Sequence, residues 1–89
     1  MRIAIIGAGI AGLSAAYDLL RAGHTVTLLE GDSQTGGLAT GFRDERWEWP
    51  LEKFYHHLFT SDRSIIGLVE EIGFRDKLFF PRPTTSVIY

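Results

Sequence analysis

Three glycines and one glutamate near the amino terminus have the types and the spacing of a nucleotide-binding motif. Gly7, Gly9 and Gly12 follow the apolar segment 2–6, and Glu30 closes a second apolar segment. In this pattern the first glycine permits a tight turn, the second lets the backbone approach a pyrophosphate, and the third lets a helix lie close to the sheet. The acid accepts hydrogen bonds from ribose hydroxyls. The motif predicts binding of a dinucleotide. The alternative is a βα unit that is merely rich in glycine, and the distance to Glu30 argues against it.

The elements that must position these residues follow from the apolar pattern. Residues 2–6 predict a strand, residues 10–22 a helix and residues 25–30 a second strand. The helix has apolar side chains at three- and four-residue spacing, at Ile10, Leu13, Tyr17 and Leu20. Ala16 is small enough for close contact between helix and sheet, and Gly23 is placed to end the helix. A helix that begins after the glycine turn directs its free N–H groups at a phosphate.

The second half of the chain carries weaker signals. Segments 41–43 and 46–49 predict a short β-hairpin around the turn residues 44–45. The aromatic segment 54–59 fits either a strand or irregular structure, and a last strand is predicted over residues 85–89. A helix is predicted between a cap at Ser61 or Asp62 and a stop at Gly73. Its apolar positions are Ile65, Ile66, Val69 and Ile72.

Composition excludes several classes of protein. A net charge of −2 over 89 residues gives no electrostatic reason to expect a nucleic acid or an anionic membrane as partner. The chain has no cysteine, which excludes disulfides and thiolate catalysis. No segment of the sequence is long and apolar enough to span a bilayer. Residues 1–16 resemble a signal peptide, but the three glycines weaken its apolar region, so we interpret the segment as folded protein in a cytoplasmic context.

The fold class follows from the order of these elements. Strand, helix and strand predict the start of a doubly wound α/β sheet, which needs further parallel strands. We therefore expect an incomplete, Rossmann-like domain, with residues 1–38 as a βαβ nucleotide-binding unit and residues 39–89 as a β excursion plus a helix. The 89 residues are expected to be the amino-terminal piece of a larger protein. As an isolated chain, the piece is expected to be inactive and to self-associate through an open sheet edge.

A second glycine motif carries a family resemblance. Gly36 and Gly37 follow Glu30 across a polar turn and precede the segment 38–40. This region resembles the amino terminus of flavin-dependent oxidoreductases of the amine oxidase, protoporphyrinogen oxidase and phytoene desaturase group, with UDP-galactopyranose mutases as more distant relatives. The resemblance covers about the first forty residues well and extends to about Phe59.

The resemblance implies FAD as the cofactor and implies its contacts. The residues that it assigns to FAD binding are Gly7, Gly9, Ile10, Ala11, Gly12, Glu30, Gly36, Gly37 and Leu38. The first glycine motif would line the diphosphate, Glu30 would bind the adenosine ribose, and the glycine pair would pass close to the phosphate and ribitol. Thr35 and Leu38 stand where many members carry basic residues, which puts basic contacts to FAD at those two positions in doubt and leaves the substrate class open.

Other nucleotides compete with FAD on the residues alone. Glu30 repels a 2′-phosphate, and neither Gly31 nor Asp32 supplies a positive charge, so NADP is disfavoured. NAD is compatible with the first glycine motif, and only the second glycine pair favours FAD. Three functions remain: a flavin enzyme that oxidises a small organic substrate by hydride transfer, a redox-neutral flavoenzyme of the mutase type, and a non-catalytic adenine-nucleotide module.

Beyond the cofactor, the sequence names no catalytic residue. His56 and His57 are the chemically suggestive pair, and the resemblance places their segment near the flavin ring. The alternative is a pair of polar residues in an aromatic core segment. Neighbouring residues of a strand point to opposite faces, so we predict no metal site there. Five aromatic residues are expected to form core rather than a substrate wall: Trp47, Trp49, Phe54, Tyr55 and Phe59.

Overall fold

A computed structural model describes residues 1–82 and 87–88 of the chain. The chain divides into two compact units, Met1–His56 and His57–Tyr89. The helices and strands are β1 (Arg2–Ile6), α1 (Ile10–Arg21), β2 (Thr25–Leu29), β3 (Gly41–Phe42), β4 (Leu51–Glu52) and α2 (Arg63–Glu71). Single 3₁₀ turns cover Gly37–Ala39 and Arg75–Lys77. The chain is therefore a mixture of helices and small sheets, as the sequence predicts.

The first unit is built on a parallel βαβ arrangement. Strands β1 and β2 pair in parallel, with Ile3 opposite Val26 and Ile5 opposite Leu28. Burial alternates along both strands, because successive side chains point to opposite faces and α1 packs on one face only. Ala16 of α1 is 4% exposed, which confirms the close contact expected of a small residue there. The predicted β1, α1 and β2 agree with the observed bounds to within one residue.

Both helices end in the same hydrogen-bonded turn. After α1, the N–H of Gly23 donates to the carbonyl of Leu20 and the N–H of His24 to that of Leu19. After α2, Gly73 and Phe74 repeat this pattern. Gly23 has φ +85° and Gly73 has φ +83°, a conformation that suits glycine at this position. The glycine stop signals in the sequence therefore gave both ends correctly.

The predicted hairpin has the wrong second strand. Strand β3 pairs antiparallel with β4, not with residues 46–49. Asp44 explains the difference, because its carboxylate accepts hydrogen bonds from the N–H and Nε of Arg46, at 3.0 and 2.7 Å. Its carbonyl also accepts the N–H of Trp47 at 3.0 Å. With these bonds residues 44–47 form a turn, and the second strand, β4, begins only at Leu51.

The predicted aromatic core is wrong as well. In the described part of the chain, Ala8 and Ala16 are the only buried apolar residues. Four of the five aromatic residues are exposed, at Trp49, Phe54, Tyr55 and Phe59, and Trp47 is half-buried. The Trp47 ring contacts Phe42 edge to face, with 5.6 Å between ring centroids. Because α1 covers only one face of the two-stranded sheet, large aromatic rings have few neighbours on the other face.

The second unit contains α2 and the segments beside it. Asp62 occupies the predicted cap position, but its carboxylate accepts the N–H of Phe59 at 2.8 Å rather than an N–H of the helix. Residues 54–59 have irregular backbone, one of the two structures that the sequence left open. The strand predicted over residues 85–89 lies largely outside the described residues. Among the residues described, no helix combines the length and hydropathy required to cross a membrane.

Candidate functional site

The first glycine motif forms the turn between β1 and α1. Gly7 has φ +94°, which disfavours any side chain, and its N–H donates to the carbonyl of Leu29 at 2.7 Å. A Cβ atom at Gly12 would overlap the carbonyl oxygen of Gly7 and lie 3.4 Å from Cγ2 of Ile5. These two glycines therefore give the turn its shape and let α1 lie close to β1.

Gly9 faces open space, unlike Gly12. It has extended backbone, with φ −74°, and a Cβ atom added there would meet nothing within 4 Å. The chain itself therefore does not require glycine at this position. A group that approaches the backbone from outside would require it, because a Cβ atom would fill the space that such a group needs.

Gly9 is also the N-cap of α1, and the first turn of this helix carries no acidic side chain of its own. The first helical hydrogen bond runs from the N–H of Leu13 to the carbonyl of Gly9, at 2.9 Å. The N–H groups of Ile10, Ala11 and Gly12 precede that bond and have no partner inside the helix. The first turn contains no acidic residue. This end of α1 therefore offers several N–H donors and a positive dipole end to an anion.

The second glycine motif lies directly against the first. The N–H of Gly36 donates to the carbonyl of Ala8 at 2.7 Å, and Gly36 forms an isolated parallel bridge with Gly9. Gly36 and Gly37 have φ +109° and +60°. A Cβ atom at Gly37 would lie 3.2 Å from Cα of Gly9. The sequence did not predict this pairing, although two adjacent glycines after β2 are a signal of close backbone contact.

Glu30 holds the glycine turn through its carboxylate. Its Oε2 accepts the N–H of Ala8 at 2.7 Å, and its Oε1 accepts the N–H of Asp32 at 2.9 Å. The N–H of Asp32, and after it that of Ala8, lowers the pKa of Glu30 below its ordinary value. Glu30 is therefore ionised at neutral pH and already has a role in the chain itself, a role that the sequence did not predict.

An open cavity of about 420 Å³ lies where these elements meet, a size within the range of ligand sites. Its lining residues are Gly9, Ile10, Ala11, Gly36, Leu38, Ala39, Phe54 and His56. Five of the residues predicted to bind cofactor therefore line one cavity. The other four, Gly7, Gly12, Glu30 and Gly37, are not among the lining residues. Phe54 is a lining residue that the sequence assigned to the core.

The two histidines that the sequence singles out differ in their relation to the cavity. His56 lines the cavity, and its Nδ1 lies 2.8 Å from the carbonyl oxygen of Phe54 and 3.4 Å from Oε2 of Glu52. His57 is exposed and begins the second unit. Both lie in irregular backbone, so the argument from opposite strand faces does not apply to them.

Comparisons with known proteins identify the family of the chain. The model of the family described as flavin containing amine oxidoreductase matches residues 10–89. The chain is 38% identical over 78 residues to an L-amino-acid oxidase of Bungarus fasciatus, a match covering 88% of this chain and 15% of that protein. It is 40% identical over 72 residues to an L-amino-acid oxidase of Mus musculus, covering 81% of this chain and 11% of that protein. It is 38% identical over 96 aligned residues to a 15-cis-phytoene desaturase of Synechococcus elongatus, covering all of this chain and 20% of that protein.

The chain thus spans about a fifth or less of the length of these relatives. No solved structure matches it significantly. The family match covers most of the chain, including α1, β2 and the second glycine motif. With open space at Gly9 and free N–H donors at α1, the residues present fit the pyrophosphate of a dinucleotide cofactor. This chain belongs to the flavin-containing amine oxidoreductases, a family of FAD-dependent enzymes.

Proposed function

We propose that the chain binds the adenosine and pyrophosphate half of FAD within a longer oxidoreductase. In this proposal, residues 1–38 form the βαβ unit of a Rossmann-like FAD-binding domain, and residues 39–89 continue that domain. The small share of each relative that the chain covers supports the longer protein. The parallel pair of β1 and β2 with α1 between them supports the domain type.

The single observation that carries the proposal is the open space at Gly9. A glycine whose Cβ position is empty, at a helix start with free N–H groups, is what a close-approaching phosphate needs. The N–H groups of Ile10, Ala11 and Gly12 would donate to the diphosphate. The hydrogen bond from the N–H of Gly36 to the glycine turn holds the second glycine motif against that turn. This position would leave space for the cofactor to pass.

Glu30 has two compatible roles in this proposal. Each carboxylate oxygen accepts one backbone N–H and has a second lone pair for another donor. Glu30 would therefore hold the turn in its binding conformation and accept ribose hydroxyls with the same two oxygens. A turn that is already ordered before binding loses less conformational entropy when the ligand arrives.

The remaining chemistry belongs to the cofactor. When bound, the flavin accepts a hydride from an organic substrate. The part of the enzyme described here would bind and orient the cofactor. The similarity of the chain both to an L-amino-acid oxidase and to a 15-cis-phytoene desaturase supports a binding unit that serves different substrates.

The test is the identity of the nucleotide that copurifies with the full-length protein. We expect the purified protein to show flavin absorbance, and the ligand released by denaturation to be FAD at about one equivalent per chain. A protein that folds and carries NAD, or that neither retains nor binds added FAD, would contradict the proposal.

A further inference from the structure

The second glycine motif leads into a single 3₁₀ turn, Gly37–Ala39, whose own hydrogen bonds are weak. The N–H of Ala39 donates to the carbonyl of Gly36 at 3.2 Å, and the N–H of Thr40 donates to that of Gly37 at 3.3 Å. Both distances lie at the long end for bonds of this type. Gly36 and Gly37 have positive φ, a conformation that glycine adopts freely but to which it is not confined. The backbone bonds of one short turn therefore hold the glycine pair only loosely.

Thr40 holds this turn through its side chain. Its Oγ1 donates to the carbonyl of Gly37 at 2.8 Å, a shorter bond than the backbone bond to the same oxygen. Its Cγ2 lies 2.7 Å from the position that a Cβ atom would take at Gly36. The carbonyl of Thr40 accepts the N–H of Lys53 at 2.9 Å, next to the pairing of β3 with β4. Thr40 thus connects the glycine pair to this pair of strands.

The turn that Thr40 holds forms part of the wall of the cavity at Gly9. Leu38 and Ala39 belong to the turn, and both line the cavity together with Gly36. Thr40 itself is not among the lining residues. Any effect of its hydroxyl on a ligand in this cavity therefore passes through the position of the turn.

We propose that Thr40 is a positioning residue for the cofactor, whose hydroxyl orders the second glycine motif before FAD binds. The inference rests on the FAD-binding function proposed above and adds to it a residue that does not line the cavity. Without the hydroxyl, the glycine pair would sample several conformations, and only a fraction of the molecules would be ready to bind. A wall that is already in place loses less conformational entropy when the ligand arrives.

Two substitutions separate the hydroxyl of Thr40 from its methyl group. Thr40→Val removes the hydroxyl and keeps a methyl group in the branched side chain, whereas Thr40→Ser keeps the hydroxyl and removes the methyl group. In full-length protein freed of its flavin, we expect Thr40→Val to weaken FAD binding by roughly three- to tenfold, the effect of one hydrogen bond. Thr40→Ser should bind FAD nearly as the unmodified protein does. Isothermal titration gives the affinities, and circular dichroism shows whether each variant is folded.

Hydrogen exchange gives a second readout that needs no cofactor. The N–H groups of Ala39 and Thr40 are donors inside the turn, so their exchange in the flavin-free protein reports how well the turn is ordered. We expect faster exchange in a peptide that includes residues 36–40 of Thr40→Val, and unchanged exchange there in Thr40→Ser. Thr27→Val is the matched control, because Thr27 lies on β2, in the same unit and outside the cavity lining. It should exchange in this peptide and bind FAD as the unmodified protein does.

Unchanged FAD affinity in Thr40→Val would overturn the inference and leave the proposed function standing. Equal weakening in Thr40→Val and Thr40→Ser would also overturn it, since that result assigns the effect to the methyl group. Weakened binding with unchanged exchange would show that the hydroxyl does not act by ordering the turn. If Thr40→Val does not fold, Thr40→Ala removes the same hydroxyl and takes its place. Failure of the unmodified protein to bind FAD would refute the proposed function, and the exchange measurement would still decide whether Thr40 orders the glycine pair.

Discussion

Replacing Gly12 with alanine tests whether the glycine turn and α1 are packed as tightly as the structure shows. The new methyl group would overlap the carbonyl oxygen of Gly7, and it would lie 3.1 Å from the carbonyl carbon. Neither of these two atoms of Gly7 can move easily, because hydrogen bonds fix the backbone of the turn. The N–H of Gly7 is bonded to Leu29, and the next N–H along the chain is bonded to Glu30, both at 2.7 Å. The overlap is relieved only if α1 moves away from the sheet.

The expected cost combines two opposing effects. Inserting a methyl group into a close contact with fixed backbone costs up to about 3 kcal/mol. Alanine in place of glycine inside a helix stabilises the folded state by about 0.5–1 kcal/mol. We therefore expect Gly12→Ala to lower the free energy of unfolding by about 2 kcal/mol, the difference between these two effects.

Gly67→Ala is the matched control for this measurement. Gly67 also lies inside a helix, α2, but a Cβ atom there would meet nothing within 4 Å. The same substitution is then expected to stabilise the protein by about 0.5–1 kcal/mol. Urea unfolding followed by circular dichroism gives both values. If the two variants change stability by the same amount and in the same direction, the close packing at Gly12 is refuted.

Two further predictions concern Glu30 and the sheet. The folded chain lowers the pKa of Glu30 below its ordinary value of 4.5, so its stabilising contribution is complete above about that pH and is lost as the pH falls through the lowered value. The difference in stability between the unmodified protein and Glu30→Gln should therefore shrink as a urea-unfolding series moves from neutral pH to pH values below 4.5, and a constant difference would contradict this role. The isolated 89-residue chain should self-associate, because within the described residues its parallel sheet has only two strands, and Ile6 at the end of β1 is 88% exposed. Sedimentation of a stable monomer at micromolar concentration would refute that expectation.

The elements of the first unit could be predicted because their signals are local. Alternation in β1 and β2, the spacing in α1 and the glycine stop at Gly23 each depend on residues close in sequence. Local signals also identify the glycine turn after β1 and Glu30 directly after β2. These features place Gly9 at a helix start before any tertiary contact is considered.

The parts that could not be predicted depend on competition between distant or alternative partners. The bond from Gly36 to Ala8 joins segments that only the folded βαβ unit brings together. The predicted hairpin is wrong because the Asp44 carboxylate accepts hydrogen bonds from Arg46. A pattern of strand-forming residues does not reveal these bonds. The sequence pattern predicts a core for aromatic rings such as Trp49, but two strands and one helix do not provide one, and Trp49 is exposed.

The most direct test of the central claim is FAD binding by Gly9→Ala. A Cβ atom at Gly9 would meet nothing within 4 Å among the described residues, so the expected cost to folding is that of a poorer helix N-cap, at most about 1 kcal/mol. The same atom would occupy the space of the pyrophosphate. We predict that full-length Gly9→Ala protein remains folded by circular dichroism but no longer retains FAD, whereas the control Gly67→Ala retains it. A folded Gly9→Ala protein that binds FAD with unchanged affinity would contradict the claim that this glycine turn holds the cofactor.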